Sequence, residues 1–291
     1  MMQAPQPSPS TETPGNVVTR TQDRPDAVDT PAAQIAAMSG DPNFMTSLAR
    51  GLAVIRGFSQ QRRRLSIAQL SIRTGIPRAA VRRCLYTLEK LGYVSSEDDR
   101  TFSLRPQILA LGHAYLSSVP LVSAAQPVLD QVSASTHESC SIAIMDGDEI
   151  LYVARSSSST RIMSIDLGVG SRLPAHCTSM GRVLLAQLPP EELSSYLRRV
   201  KLAPFTHRTV VTKDALADSL DAVRAQGYAV VDQELEIGLR SIAVPIADFR
   251  ARVAAAINIS VQAPRVSIAE MEKSFLPPLR KAAEELGMLL G

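Results

Sequence analysis

Residues 65–105, LSIAQLSIRTGIPRAAVRRCLYTLEKLGYVSSEDDRTFSLR, constrain this chain more than any other stretch. Ser66 and Gln69 make a capping-box signature, in which each side chain serves the other's backbone amide at a helix start. Ile67 and Leu70 then fall on the inner face of that helix. Gly75 stands where the helix must close, because glycine accepts the left-handed backbone wanted just past the last turn. Pro77 opens a further helix at its first position, where no amide donor is required. Helix, tight turn, helix is the outline of a helix-turn-helix.

The second of these helices divides cleanly. At about 100° per residue, Val81, Cys84, Leu85, Leu88 and Leu91 share one side, and Arg78, Ala79, Arg82, Arg83, Tyr86 and Lys90 share the other. Its arginines gather toward the N-terminal end, where a recognition helix places side chains against base edges. Gly92 ends the helix; Tyr93-Val94, a polar turn from Ser95 to Arg100, and Thr101 to Leu104 then make a small hairpin, or wing. Between Arg50 and Arg105 twelve basic residues meet four acids, a net of +8 in a chain whose total is +3. So polarised a segment reads as a footprint for phosphate, and a rigid rod with a cationic face suits double-stranded DNA. Arg78, Arg82 and Arg83 are candidates for the major groove, with Ala79 allowing close approach and Tyr86 on the same face. Arg62, Arg63, Arg64 and Arg100 are candidates for backbone phosphates. A merely solvated basic surface is the competing reading, and the helical placement of the arginines weighs against it.

Residues 1–42 hold seven prolines and no periodic apolar pattern, so they read as a disordered tail. From there Phe44, Leu48, Leu52, Ile55 and Phe58 recur at helical spacing, giving a helix of about four turns, and a polar basic loop comes next at 60–64. A DNA-binding domain thus spans 43–105. Pro106 starts QILALGHAYLSS, a linker helix over 106–120 or equally the first helix of the next domain. Residues 121–291 read as a second domain: a helix at 121–136, the hairpin CSIAIM–Asp146-Gly147–EILYVAR, a third strand RIMSIDL and the loop GVGSRLPAH. Helices at 178–188, 190–199 and 213–226 come next, then strands YAVVD, SIAVPI and VAAAINISV, and a closing helix at 267–289. Strands grouped in blocks around helices give an α+β class with an antiparallel sheet.

Composition sets the outer bounds. Hydrophobic residues at 45 % and charged residues at 20 % fit a globular protein. No apolar run reaches the roughly 18 residues of a membrane helix, and no basic-then-apolar leader opens the chain. Cys84, Cys140 and Cys177 are odd in number and in no CxxC pattern, which suits a reducing cytoplasm. No GxGxxG, P-loop, GxSxG or HExxH is present, so neither a cofactor nor a resident metal is expected and catalysis is a poor reading.

Five stretches carry a resemblance: FMTSLARGLAVIRGF, GIPRAAVRRCLYTLEKLGYV, LGHAYLSS, RLPAHCTSMGRVLLA and GYAVVDQELEIGLRSIAVPI. Over about residues 41–291 the chain resembles the IclR (isocitrate lyase regulator) family of bacterial transcription factors. Within it the likeness is to regulators of the β-ketoadipate pathway for aromatic acid breakdown. The resemblance implies a winged helix-turn-helix domain, a GAF-like effector-binding domain, and a homodimer or dimer of dimers on a palindromic operator. It also implies an activator, with RNA polymerase a candidate partner. Matched residue by residue, the family's effector pocket corresponds to Ile162, Ile165 and Leu173 as apolar wall, and to Ser179 and Met180 at the start of the next helix. Asp232, Leu239 and Ser241 match the acidic loop and adjoining strand, and Asn258 and Ser260 match AAINIS. Several members have Gly or Ala where Ser179 and Met180 stand, and Cys at the place of Ser241.

The expected effector is a small carboxylic acid such as β-ketoadipate, protocatechuate or 4-hydroxybenzoate. Its carboxylate needs a cation or amide donors, and its carbon frame an apolar slot. The helix beginning near Thr178 offers free amides and the positive end of its dipole. Arg155, Arg161, Arg172 and Arg240 are candidate forks, although Arg240 could pair with Glu234 or Glu236 instead. His176 beside Cys177 reads more readily as a satisfied histidine next to a buried cysteine than as a metal or reactive pair, since no further His or Cys lies at ligand spacing. Two alternatives stay open: a metal- or thiol-responsive regulator, and an enzyme fused to a nucleic-acid domain.

Overall fold

The computed structural model describes residues 30–59, 62–98, 100–157 and 167–290, in two units divided between Gly112 and His113. The boundary falls inside the helix read as a linker.

The first unit contains α1 (Pro31–Ala37), α2 (Thr46–Arg56), β1 (Arg64–Ser66), α3 (Ile67–Thr74), α4 (Arg78–Lys90), β2 (Val94–Ser96) and β3 (Thr101–Leu104). Ser66 Oγ accepts the Gln69 amide at 3.3 Å and Gln69 Oε1 accepts the Ser66 amide at 2.8 Å, so the capping box is complete. Gly75 ends α3 in the left-handed region at φ 71°. Val54, Leu70, Ile76, Val81, Leu85 and Val94 form the buried centre. The three strands pair antiparallel in the order β1-β3-β2.

Four local expectations change. Thr30 caps α1, with Pro31 in its first turn, inside the stretch assigned to a tail; proline and threonine start helices as readily as they mark loops. Pro77 is the cap of α4, one residue before its first helical position. Leu91 lies past the last residue of α4 and is exposed rather than inward. On α2, Leu48 and Leu52 are exposed, and burial falls on Ala53 and Val54 one position round.

A short 3₁₀ turn at Pro106–Ile108 leads into α5 (Leu109–Ser118). The second unit continues with α6 (Pro120–Thr136), β4 (Ser139–Asp146), β5 (Glu149–Ser156), β6 (Arg172–Pro174), α7 (Ser179–Ala186), α8 (Pro190–Arg199), α9 (Lys213–Gln226), β7 (Ala229–Asp232), β8 (Leu239–Ala247), β9 (Val253–Gln262), α10 (Ile268–Ser274) and α11 (Leu276–Gly287). Its six strands are antiparallel in the order β6-β5-β4-β9-β8-β7. One face packs against α6, α10 and α11 around Leu129, Ile142, Ile257 and Leu279. The other packs against α7, α8 and α9 around Ile150, Leu185, Leu216 and Leu220. This is the expected α+β arrangement, with two differences. RIMSIDL lies outside the described residues except for Leu167, and β6 forms within the stretch read as a loop. The closing helix breaks at Phe275, where Pro277 and Pro278 enter the first turn of α11 and cannot donate amides to α10. Among the described residues, no single helix is long and apolar enough to cross a membrane.

Candidate functional site

Two places gather polar groups that the fold itself does not use. The first is the outer face of α4. Arg78, Ala79, Arg82, Arg83 and Tyr86 are all exposed there, while Val81, Leu85 and Leu88 point inward. The guanidinium groups of Arg78, Arg82 and Arg83 make no hydrogen bond or ion pair among the described residues. Lys90 Nζ lies 5.4 Å from the centre of the exposed Tyr86 ring. In the wing, the Asp98 carboxylate accepts hydrogen bonds from the amides of Thr101 and Arg100 and from the Thr101 hydroxyl. These bonds hold its pKa down to about 2 and fix the turn that carries Arg100. Arg63 and Arg64 are exposed and Arg62 half-buried. Arg64 pairs with Glu97 at 2.7 Å across the small sheet, a solvent-exposed contact worth about 0–1 kcal/mol and so readily exchanged for a phosphate.

The second place is a cavity in the other unit, under the N-terminus of α7. Thr178 caps this helix by accepting the Gly181 amide at 3.3 Å, and its hydroxyl donates to Pro174 O at 3.0 Å. A methyl group on Gly181 would run into the Ala175 carbonyl, so the helix start lies against the preceding turn only because residue 181 is glycine. On the sheet below, Ser241 faces Ser260 across β8 and β9, and Asn258 sits two residues along on the same face. Leu173, Ser179, Met180, Leu239, Ser241, Asn258 and Ser260 line this cavity together. Tyr152, Cys177, Thr178, Val231 and Leu235 complete the lining, and of these sequence reasoning pointed only to the helix start at Thr178. EILYVAR is apolar at five consecutive positions and buried on both faces, so its pattern could not single out Tyr152.

The electrostatics of the cavity are neutral and unsatisfied. Among the described residues, Ser179 Oγ and Asn258 Oδ1 are buried without a hydrogen-bond partner, although Asn258 Nδ2 donates to Ser260 Oγ at 3.2 Å. Burial pushes the Tyr152 phenol up to about 12 and the Cys177 thiol up to about 12, so both stay protonated. Protonated, buried thiols are poor nucleophiles, which removes the physical basis for thiol sensing at Cys177; Cys140 is likewise buried and shifted upward. The cavity measures only about 20 Å³, room for roughly one water.

Four expected members of this site lie elsewhere. Asp232 and Arg240 are register partners on β7 and β8, and they pair with each other at 2.7 Å instead of facing the cavity. Arg240 also donates to the carbonyls of Ala263 and Val266, and Asp232 takes a second guanidinium from Arg208 at 2.6 Å. Opposite charges placed across a strand pair satisfy each other before any ligand arrives. Arg155 donates to Ser141 Oγ at 3.0 Å and to Ser157 Oγ at 3.2 Å and does not line the cavity. Arg172 spends its guanidinium on Asp146 and Glu149 at the surface. Ile162, Ile165 and Arg161 lie outside the described residues.

Behind the cavity wall is a buried ion pair that sequence reasoning passed over. Arg182 Nη2 meets Glu234 Oε2 at 2.6 Å, Arg182 Nε donates to His176 O at 3.1 Å, and the same Glu234 oxygen accepts the Val210 amide at 3.1 Å. An arginine inside the otherwise apolar SMGRVLLA was the available signal. His176 Nε2 lies 3.4 Å from Ala203 O, with its ring 6.1 Å from that of Phe205. Burial, assisted by the Arg182 charge, lowers its pKa and keeps it neutral. Among the described residues, no group of three His, Cys, Asp or Glu side chains is placed to hold a metal ion.

Comparison with known proteins covers both units. Residues 47–98 match the IclR helix-turn-helix domain, and residues 113–288 match the family described as bacterial transcriptional regulator IclR C-terminal. A Pca regulon regulatory protein of Pseudomonas putida is 56% identical over 90% of this chain and 90% of its own length. A p-hydroxybenzoate hydroxylase transcriptional activator of Acinetobacter baylyi is 36% identical over 85% of this chain and 93% of its own. The crystal structure of an IclR homolog from Microbacterium hydrocarbonoxydans, complexed with 4-hydroxybenzoate, superposes with a TM-score of 0.71 at 25% identity, covering 84% of this chain and 98% of that one.

Proposed function

Because this chain belongs to the IclR family of bacterial transcriptional regulators, we propose that it binds operator DNA through α4 and the wing and a small aromatic-pathway acid through the cavity under α7. It is a ligand-responsive transcriptional regulator of aromatic acid catabolism and not an enzyme. One observation carries the reading. A helix with three exposed arginines, unpartnered among the described residues, shares a chain with a cavity that buries two polar atoms likewise unpartnered among them. The first arrangement offers donors suited to an anion, and the second offers polar atoms suited to a hydrogen-bonding ligand.

In this reading Arg78, Arg82 and Arg83 reach base edges and phosphates in the major groove, while Arg62, Arg63, Arg64 and Arg100 hold the backbone. The regulator works in the cytoplasm as a homodimer or dimer of dimers on a palindromic operator, and it activates by contact with RNA polymerase. Its effector is β-ketoadipate, protocatechuate, 4-hydroxybenzoate or a near relative. The carboxylate meets Ser179 and the free amides of α7, and Asn258, Ser260 and Ser241 take the other polar group. An acid of that size needs far more than the present cavity, so binding displaces a wall. The segment 233–238, which carries Leu235 between β7 and β8, is the least regular of those walls.

Thermal unfolding against a panel of aromatic and ring-opened acids tests the ligand half. At one hundred times its Kd an acid adds about 2.7 kcal/mol, which for a unit of this size raises Tm by about 5–10 °C. A duplex selected from a random pool tests the other half, because it should bind far more tightly than unselected DNA. If no acid in the panel moves the transition, or if selection enriches no sequence, the proposal fails.

A further inference from the structure

Apart from the cavity under α7, the second unit carries a groove of about 550 Å³ between α8 and α9. Its floor is apolar: Leu188, Leu193, Leu197 and Ala217 are only partly buried, the three leucines resting on the core beneath and leaving an outer side uncovered. Leu193 and Leu197 stand four apart on α8, so they form one stripe along the groove. Its rim is basic, and the cations are held in place. Arg198 Nη1 donates to Ser194 Oγ at 2.7 Å, and Lys213 Nζ donates to Arg198 O at 2.9 Å. Both acceptors are neutral, and neither cation has a carboxylate within ion-pair distance among the described residues. Arg224 closes the far end, bonded to Ala186 O at 2.9 Å and paired with Asp221. Asp214 supplies the one acid in the lining.

We propose that this groove docks an acidic amphipathic helix from a partner protein. An apolar stripe flanked by ordered, uncompensated cations is complementary to a helix with leucine-type anchors on one face and Glu or Asp beside them. The trough runs between two helices of 10 and 14 residues, a length that suits a helix laid along it. A small acid would be left largely uncovered there, whereas small-molecule sites enclose most of their ligand.

The test uses the full chain and a labelled synthetic peptide of roughly four helical turns, with leucines at helical spacing and glutamates between them, read by fluorescence anisotropy. The expected result is saturable binding that weakens with salt. The same peptide with lysine for glutamate should bind about tenfold more weakly or worse. Arg198→Glu with Lys213→Glu should reverse that preference. Arg198→Gln with Lys213→Gln, a milder pair checked for an unchanged Tm, should lose the preference without reversing it. Equal binding of both peptides by the parent, or unchanged binding by the charge variants, overturns the proposal. So does a fall in sedimentation mass of the Glu or Gln pair without peptide, because the groove would then be a contact between copies of this chain.

Discussion

Arg182 and Glu234 show what one buried pair does for a site it does not line. Their side chains are 6% and 9% exposed, and together they fasten α7 to the segment carrying Leu235. Truncating either one strands the other charge in the interior, so Arg182→Ala or Glu234→Ala should each cost about 3–5 kcal/mol in denaturant unfolding. Arg182→Met with Glu234→Leu should cost less than either, since no charge is left behind, although the Val210 amide and the His176 carbonyl lose partners. His176, on the same network, gives a pH signature. Its folded-state pKa lies below the unfolded value of about 6.5, so the folded protein binds fewer protons there. The stability it contributes is therefore present above that value and is lost as pH falls through it toward the folded pKa. His176→Asn should flatten this part of the Tm-against-pH curve. Sequence could hint at Arg182 because its neighbours are apolar. It could not assign Arg240, because the choice among Asp232, Glu234 and Glu236 depends on a turn in which Gln233 and Gly238 both take positive φ.

Secondary-structure elements were legible where their signals are local. The Ser66–Gln69 box, Gly75, Gly227 and the Asp146-Gly147 turn each act within a few residues, and each element they bound lies where it was expected. β1 and β6 were not legible. They are three residues long and exist only because β3 and β5 lie beside them, which is long-range information. The α7 start combines both kinds. Thr178 marks it, but the need for Gly181 comes from the approach of the Ala175 carbonyl. Gly181→Ala should thus cost about 1–3 kcal/mol or more and abolish the thermal shift given by the effector. Gly51→Ala in α2 meets nothing within 4 Å and should raise stability by about 0.5–1 kcal/mol. On α4, Arg82→Ala should cost about 1–3 kcal/mol on the selected duplex and relax base preference. Arg100→Ala should weaken all duplexes alike and lower the salt slope by about one. An equal loss on selected and random DNA for Arg82→Ala would overturn its base-reading role, and a loss confined to the selected duplex for Arg100→Ala would overturn its phosphate role.

At the scale of the whole molecule, a regulator works only if the acid binds one state of the protein better than another. The coupling between two such sites is typically about 1–3 kcal/mol, or roughly 5- to 150-fold in affinity. Thermodynamics then demands reciprocity: whatever factor the acid imposes on operator binding, the operator must impose on acid binding. Titrating the acid into free protein and into the protein–operator complex should therefore give Kd values whose ratio equals the shift in operator affinity measured by anisotropy. An activator that works only through its contact with polymerase gives a different pattern, in which both binding ratios stay near one while transcription still rises with acid. Arg182→Met with Glu234→Leu separates the two cases, because it loosens the cavity wall without touching the DNA face. If the cavity and the operator are coupled through that wall, the binding ratio should fall toward one while operator affinity without acid is unchanged.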